Sequence, residues 1–149
     1  MAFVVPDHYE MREVRSWRDE NGTNWRSFGN ACWFTNLDIA KRHEELVLYK
    51  NYSRKGYPKY KNYDAIEVSK YTDIPGHYDG AMCVPVTFLD RYNPDQFEIL
   101  GSSRTLARPM SEVAEKGSFQ QGGPRFYLSN GDGAYRRMYD RLIIKNKRL

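Results

Sequence analysis

Turn-forming residues recur along this chain and mark where its regular elements end. Asn21-Gly22, Gly56 with Pro58, Pro75-Gly76, Asn93-Pro94-Asp95, Gly122-Gly123 and Asn130-Gly131-Asp132-Gly133 punctuate it from end to end. Glycine supplies positive φ and proline removes a backbone donor, so each cluster ends whatever helix or strand precedes it. Several segments near these turns read as short strands, among them 65–68, 97–100 and 125–128. The expected fold class is α+β: a single compact domain over residues 1–149, β-rich, with short helices. A chain of 149 residues can bury a real core but is short for two ordinary domains.

Residues 11–34 predict a β-hairpin, with segments 11–17 and 25–34 flanking Asp19-Glu20-Asn21-Gly22 and with Gly29 marking a bulge or a close backbone approach. Asn36 or Asp38 can cap a short helix through Ala40 and His43, and residues 45–49 either continue it or begin a strand. Residues 65–68 predict a strand. A helix beginning at Pro85 runs through Phe88, Leu89 and Tyr92, and a strand follows at 97–100. A further helix is expected at 111–116 and a loop at 117–123. Strands are expected at 125–128 and 135–144, around the turn at 130–133.

Charge is blocked along the chain. The net charge of +4 divides into −2 over residues 1–48, +5 over 49–63, −5 over 64–101 and +6 over 102–149. Solubility alone needs no such segregation, and two basic blocks favour a polyanionic partner. The alternative is that folding intermixes the blocks and neutralises them.

Residues 49–63 read YKNYSRKGYPKYKNY: five tyrosines interleaved with Lys50, Arg54, Lys55, Lys59 and Lys61, and no acid. Cations neutralise phosphates and release counterions, while aromatic rings stack on bases. The expected nucleic-acid contacts are therefore Lys50, Tyr52, Arg54, Lys55, Tyr57, Lys59, Tyr60 and Lys61. The competing expectation is a solvated loop whose tyrosines fold back onto the core. Arg136, Arg137 and Arg141 form a second expected set, since a guanidinium can clamp phosphate or read a guanine edge. There too a charged edge strand and tail is the plainer alternative.

Catalytic signals are weak. His8, His43 and His77 lie far apart, and the chain has no HExxH, no nucleophile elbow and no phosphate-cradling glycine loop. Cys32 and Cys83 alone cannot make a cysteine zinc site or a disulfide scaffold, and they suit a reducing, cytoplasmic setting. No catalytic and no metal-binding residue is expected. The opening ten residues do not read as a secretory signal, and no apolar run approaches membrane-span length, so no membrane partner is expected.

Three long strings carry a resemblance. GNACWFTNLDIAKRHEELVLYKNYS (Gly29 to Ser53), YPKYKNYDAIEVSK (Tyr57 to Lys70) and YDGAMCVPVTFLDRYNPDQFEILGSS (Tyr78 to Ser103) resemble the C-terminal half of EcoRI-type adenine-specific DNA methyltransferases. PRFYL (Pro124–Leu128) and YRRMYDRLIIKNK (Tyr135–Lys147) resemble that family's final strands. The resemblance organises the chain as a hairpin and short helix over 1–48, a basic-aromatic tract over 49–63, and a target-recognition-like segment with final strands over 64–149.

What the resemblance implies is transfer of a methyl group from S-adenosylmethionine to adenine N6 in duplex DNA. The family's catalytic half bears a glycine-containing cofactor loop and an Asn/Asp-Pro-Pro-Phe/Tyr tetrapeptide around the flipped adenine. Neither occurs here, where the one Asn-Pro, Asn93-Pro94, is followed by Asp95. An extruded base needs a stacking ring and acceptors for its amino group. The expectation is therefore a non-catalytic DNA-recognition domain within a split restriction-modification enzyme. Its partners would be duplex DNA and a catalytic methyltransferase chain, with S-adenosylmethionine bound only if that chain supplies the site. The alternative expectation is an anti-defence protein of a phage or mobile element, binding a host restriction or nucleic-acid-guided defence protein through the same surface.

Overall fold

The computed structural model describes residues 2–10, 15–27 and 38–149, and their backbone contacts gather into two units, Met1–Leu37 and Asp38–Leu149. Among the described residues the architecture is α+β and strand-rich, with one short α-helix and several short 3-10 helices.

In the first unit, β1 (Ala2–Val4), β2 (Ser16–Arg18) and β3 (Asn24–Ser27) form an antiparallel sheet in the order β1-β3-β2. The expected hairpin is β2–β3. Its turn closes on Gly22, at φ 79°, while the Asp19 carboxylate accepts the Asn21 and Thr23 backbone N–H groups at 3.0 and 2.8 Å and the Trp25 indole N–H at 2.8 Å. Those donors, the indole first, hold the Asp19 carboxyl below its ordinary range. The expected bulge at Gly29, the Asn36 cap and the outer parts of both expected strands lie outside the described residues.

The second unit is built on a four-stranded sheet in the order β4-β5-β9-β6. Its strands are β4 (Ile66–Glu67), β5 (Met82–Pro85), β6 (Phe97–Ser102) and β9 (Arg141–Asn146). A separate antiparallel ribbon joins β7 (Tyr127–Ser129) to β8 (Tyr135–Arg137). The pairing of β4 with β5 is parallel and the other two are antiparallel. Cα register puts Ile66, Met82, Ile144 and Ile99 in one row across the sheet. That row packs against Tyr57, Ile74, Phe88 and Phe97, with the Phe88 and Phe97 rings meeting edge to face at 5.3 Å. The next row, Glu67, Cys83 and Ile143, faces Tyr60, Phe126 and Leu128. Because side chains alternate faces along a strand, a central strand covered on both sides reads as a continuous apolar run, and Met82-Cys83-Val84 is one.

Three expectations about elements are corrected. The span 135–144, expected as one strand, is two: β8 ends at Arg137, the chain turns at Met138, Tyr139 and Asp140, and β9 enters a different sheet at Arg141. Residues 111–116 do not form a helix. A 3-10 turn at Met110–Glu112 stands there, and the one α-helix among the described residues, α1 (Ser103–Leu106), starts on a capping box between Ser102 and Thr105. Residues 45–49 are neither helix nor strand. Instead the buried Gln96 amide bonds both backbone groups of Leu46, at 2.9 and 2.7 Å, and Asn93 donates to the Glu44 carbonyl at 3.2 Å. Those amides do what a neighbouring strand would do, so the segment is fixed without being regular. The expected helix after Pro85 is present as a 3-10 helix, Val86–Arg91, with Pro85 at its N-cap.

Candidate nucleic-acid interface

The basic-aromatic tract leaves the sheet edge beside β4. Lys59 bridges Ile66, the Glu67 N–H donates to the Pro58 carbonyl at 2.8 Å and the Tyr60 N–H to that of Ala65 at 3.2 Å. This strand-like alternation sends successive side chains to opposite sides. Tyr60 turns inward, whereas Lys59 and Lys61 turn to solvent.

Tyr57 and Tyr60 are the first correction to the expected contact set. They are 8% and 6% exposed. Tyr57 donates its hydroxyl to the Asp73 carbonyl at 2.8 Å, and burial pushes its phenol above the ordinary value. Tyr60 donates its hydroxyl to the Glu67 carboxylate, and its ring packs on Phe126 at 4.9 Å. Neither ring is free to stack on a base. Arg141 is the second correction. Its guanidinium grips Glu67 through Nη2 to Oε1 at 2.8 Å and Nε to Oε2 at 3.1 Å, with the two side chains 11% and 4% exposed. A fork this buried is committed to holding β9 to β4 across β5.

The other eight expected residues stay at the surface, Tyr52 in part. Lys50, Arg54 and Lys55 are exposed and carry no ion pair among the described residues, and the same is true of Arg136 and Arg137. Lys59 pairs with Asp64 at 2.9 Å, an exposed partnership that raises the lysine pKa through the hydrogen bond. Tyr52 is half buried, its ring 4.6 Å from Tyr78 and 5.9 Å from Tyr57.

Lys61 ties the two basic regions together. Its N–H donates to the Tyr127 carbonyl on β7 at 2.9 Å, and its ammonium stands 5.8 Å from the Tyr135 ring centroid on β8. Arg137 pairs with Tyr127 across the ribbon. Lys61 and Arg137, which are 76 residues apart in sequence, therefore flank the same β7 residue. Among the described residues no cluster of His, Cys, Asp and Glu could hold a metal ion, and no helix is long and apolar enough to cross a membrane.

Comparison with known proteins decides the family. A family model described as "Adenine-specific methyltransferase EcoRI" matches residues 1–147. The chain belongs to that family. It is 41% identical, over 99% of its length, to the type II methyltransferase M.EcoRI of Escherichia coli, of which it covers 40%. It is 35% identical over its full length to M.MgeORF184P of Mycoplasma genitalium, covering 47% of that protein. With M.MpnI of Mycoplasma pneumoniae it shares 36% identity over 76% of its own length and 36% of the relative's. The chain thus spans less than half the length of these methyltransferases. No solved structure matches it.

Within this methyltransferase segment the structure brings forward residues that sequence reasoning passed over. Tyr139, at the corner between β8 and β9, is 86% exposed, and Tyr49 is 82% exposed. These rings, rather than Tyr57 and Tyr60, are open to a ligand. Tyr139 was hidden by the expectation of one continuous strand. Its immediate neighbour Asp140 takes both Arg104 and Arg125, at 3.0 and 3.1 Å, so one carboxylate serves two guanidiniums.

Proposed function

We propose that this chain is the DNA-recognition part of an EcoRI-type adenine methyltransferase. It holds duplex DNA without catalysing methyl transfer, and a partner chain supplies the cofactor and catalytic motifs in the cytoplasm. The observation that carries the proposal is the junction at Lys61. There the tract, whose cations other than Lys59 carry no ion pair among the described residues, meets the arginine-bearing ribbon β7–β8, with solvent-exposed rings at Tyr49 and Tyr139 on the tract and beside the ribbon. Unpaired cations supply sequence-independent affinity for phosphate, and exposed rings supply stacking.

The methyl donor is a poor match to two clefts among the described residues. S-adenosylmethionine bears a sulfonium and an ammonium against one carboxylate, a net positive charge. The cleft between residues 107–111 and 121–125 is lined by Arg108 and Arg125 and by no acid, the wrong sign for such a ligand. A second cleft includes Asp64, which Lys59 already engages. No step of methyl transfer is assigned to this chain.

Titrating the intact chain with duplex DNA at roughly 50 and 200 mM salt tests the proposal, since each phosphate neutralised lowers log K by about 0.9 per decade of salt. A steep loss of affinity is expected, and a flat response or no binding rejects it. Incubating the chain alone with duplex DNA and tritiated S-adenosylmethionine should leave the DNA unlabelled. Incorporated label would reject the non-catalytic role.

A further inference from the structure

Among the described residues, the three-stranded sheet of the first unit has almost no core of its own. Val5 is the one hydrophobic side chain buried there, and both hydrophobic clusters are built from the second unit. A small sheet needs an apolar face packed against something to be stable. Register shows which face is left over. Val4 and Trp17 both pair with Trp25, so the three side chains form one row across β1, β3 and β2. Val4 is 57% exposed and Trp17 is 45% exposed. The Trp17 and Trp25 rings lie nearly parallel, 8° apart in plane with centroids at 6.4 Å.

This platform is fixed in place. The Trp25 indole N–H is spent on the Asp19 carboxylate at 2.8 Å, and the Arg18 Nε–H donates to the Gly22 carbonyl at 2.7 Å, tying both strands to the turn. Exposed apolar patches mark interaction surfaces, and tryptophan is a preferred anchor in them.

Two observations select the occupant. The first is charge. Residues 1–48 carry a net −2, and the Asp19 carboxylate stands at the edge of the indole row, so a polyanion is disfavoured there and a protein surface is favoured. The second is length. More than half of M.EcoRI and of M.MgeORF184P lies outside the match, and the cofactor loop and catalytic tetrapeptide that this chain lacks belong to that remainder. Permanent interfaces resemble a domain core cut in half. A solvent-facing pair of indoles on a sheet without a core is what one half of such an interface presents.

We propose that the Val4–Trp25–Trp17 face docks the catalytic methyltransferase chain, whose apolar side chains cover the two indoles. The proposal rests on the split-enzyme reading above.

The test co-expresses the intact chain with the part of M.EcoRI that lies outside the match, and measures the dissociation constant of the purified pair. Wild type is compared with Trp17→Ala, Trp17→Phe and, as a control on the basic tract, Lys55→Ala. Trp25 is left alone because its indole closes the turn, and circular dichroism confirms that the variants fold. Trp17→Ala is expected to weaken the pair by at least about tenfold and Trp17→Phe by less, with Lys55→Ala unchanged. Duplex DNA affinity should fall in Lys55→Ala and stay unchanged in Trp17→Ala. Equal pairing by wild type and Trp17→Ala places the interface elsewhere and overturns this site, leaving the split enzyme intact. Failure of wild type to recover the M.EcoRI part overturns the docking, and the DNA titration then decides recognition independently. Sedimentation of the chain alone as a dimer that Trp17→Ala dissociates gives the face to a second copy. Binding of a single-stranded oligonucleotide that Trp17→Ala abolishes gives it to nucleic acid. Either result overturns the proposal.

Discussion

Arg137 and Arg141 stand on either side of the same corner and have opposite fates. Arg137 ends the short ribbon strand β8, exposed and without an acidic partner among the described residues, whereas Arg141 opens β9 and closes a buried fork on Glu67. Tyr52 and Tyr60 repeat the contrast within the tract: one ring is half exposed in a tyrosine stack, and the other is buried with its hydroxyl on the same Glu67. Residue type does not distinguish the members of either pair. Place in the fold does, because Arg137 sits on the two-stranded ribbon whereas Arg141 sits on a central strand of the four-stranded sheet within reach of Glu67, and of the two tyrosines only Tyr60 reaches that carboxylate. The cationic blocks of this chain are therefore mixed populations, with some members spent on the fold and others left for a ligand.

Removing the spent partner should have the largest effect. Glu67→Gln leaves the Arg141 guanidinium in the interior without its counter-charge and is expected to cost about 3–5 kcal/mol of stability by urea denaturation. Replacing both residues together, as Glu67→Leu with Arg141→Met, should recover most of that loss, because the desolvation of both charges is removed along with their attraction. If Glu67→Gln instead unfolds with an unchanged midpoint, the division between spent and unspent cations fails at its firmest point.

A smaller effect belongs to the buried phenols and thiol. Burial raises the Tyr57, Tyr63 and Tyr78 hydroxyls above the ordinary 10.0 and, with Glu67 nearby, pushes the Cys83 thiol up from 9.0. Between the unfolded-state values and the higher folded-state ones, the unfolded chain releases protons that the folded chain keeps, so stability falls as pH rises. The expected profile is flat at neutral pH and declines from about pH 9 upward. Cys83, fully buried, should react with a thiol reagent only on unfolding. A Cys83 that titrates at neutral pH in the native protein would contradict the packing of the Glu67 row.

Much of the frame was legible in advance. The Asn21-Gly22 turn, the strand at Phe97, the helical turn after Pro85 and the turn at 130–133 follow from local chemistry, because glycine and proline act through their own backbones. The break at Tyr139 was not legible, since residues 135–144 contain neither glycine nor proline and only the pairing of β9 with β5 and β6 separates the two strands. The site was legible as a composition and not as a geometry. A tract of tyrosine and lysine announces a sticky cationic segment, yet Tyr57 and Tyr60 are claimed by long-range partners that no local rule names. Asn62 is the clearest case: in sequence it is a polar spacer between Lys61 and Tyr63, and in the fold it bonds residues 46 and 63 positions away.

The smallest expected effect on stability is the most telling about function. Lys61→Ala and Arg137→Ala remove exposed side chains, and each should change the unfolding free energy by no more than about 0.5 kcal/mol. Lys61 keeps its backbone bond to Tyr127 when truncated, so the junction survives and only the cation is lost. In duplex DNA binding, each variant should lower the salt slope by about one unit, and the double variant by about two. Arg54→Ala, at the turn where Gly56 and Tyr57 bond back to the Ser53 carbonyl, tests whether the same surface extends along the tract. A lowered slope includes that turn in the DNA footprint. An unchanged slope confines the footprint to the Lys61 junction and the ribbon, leaving the outer tract as solvated loop.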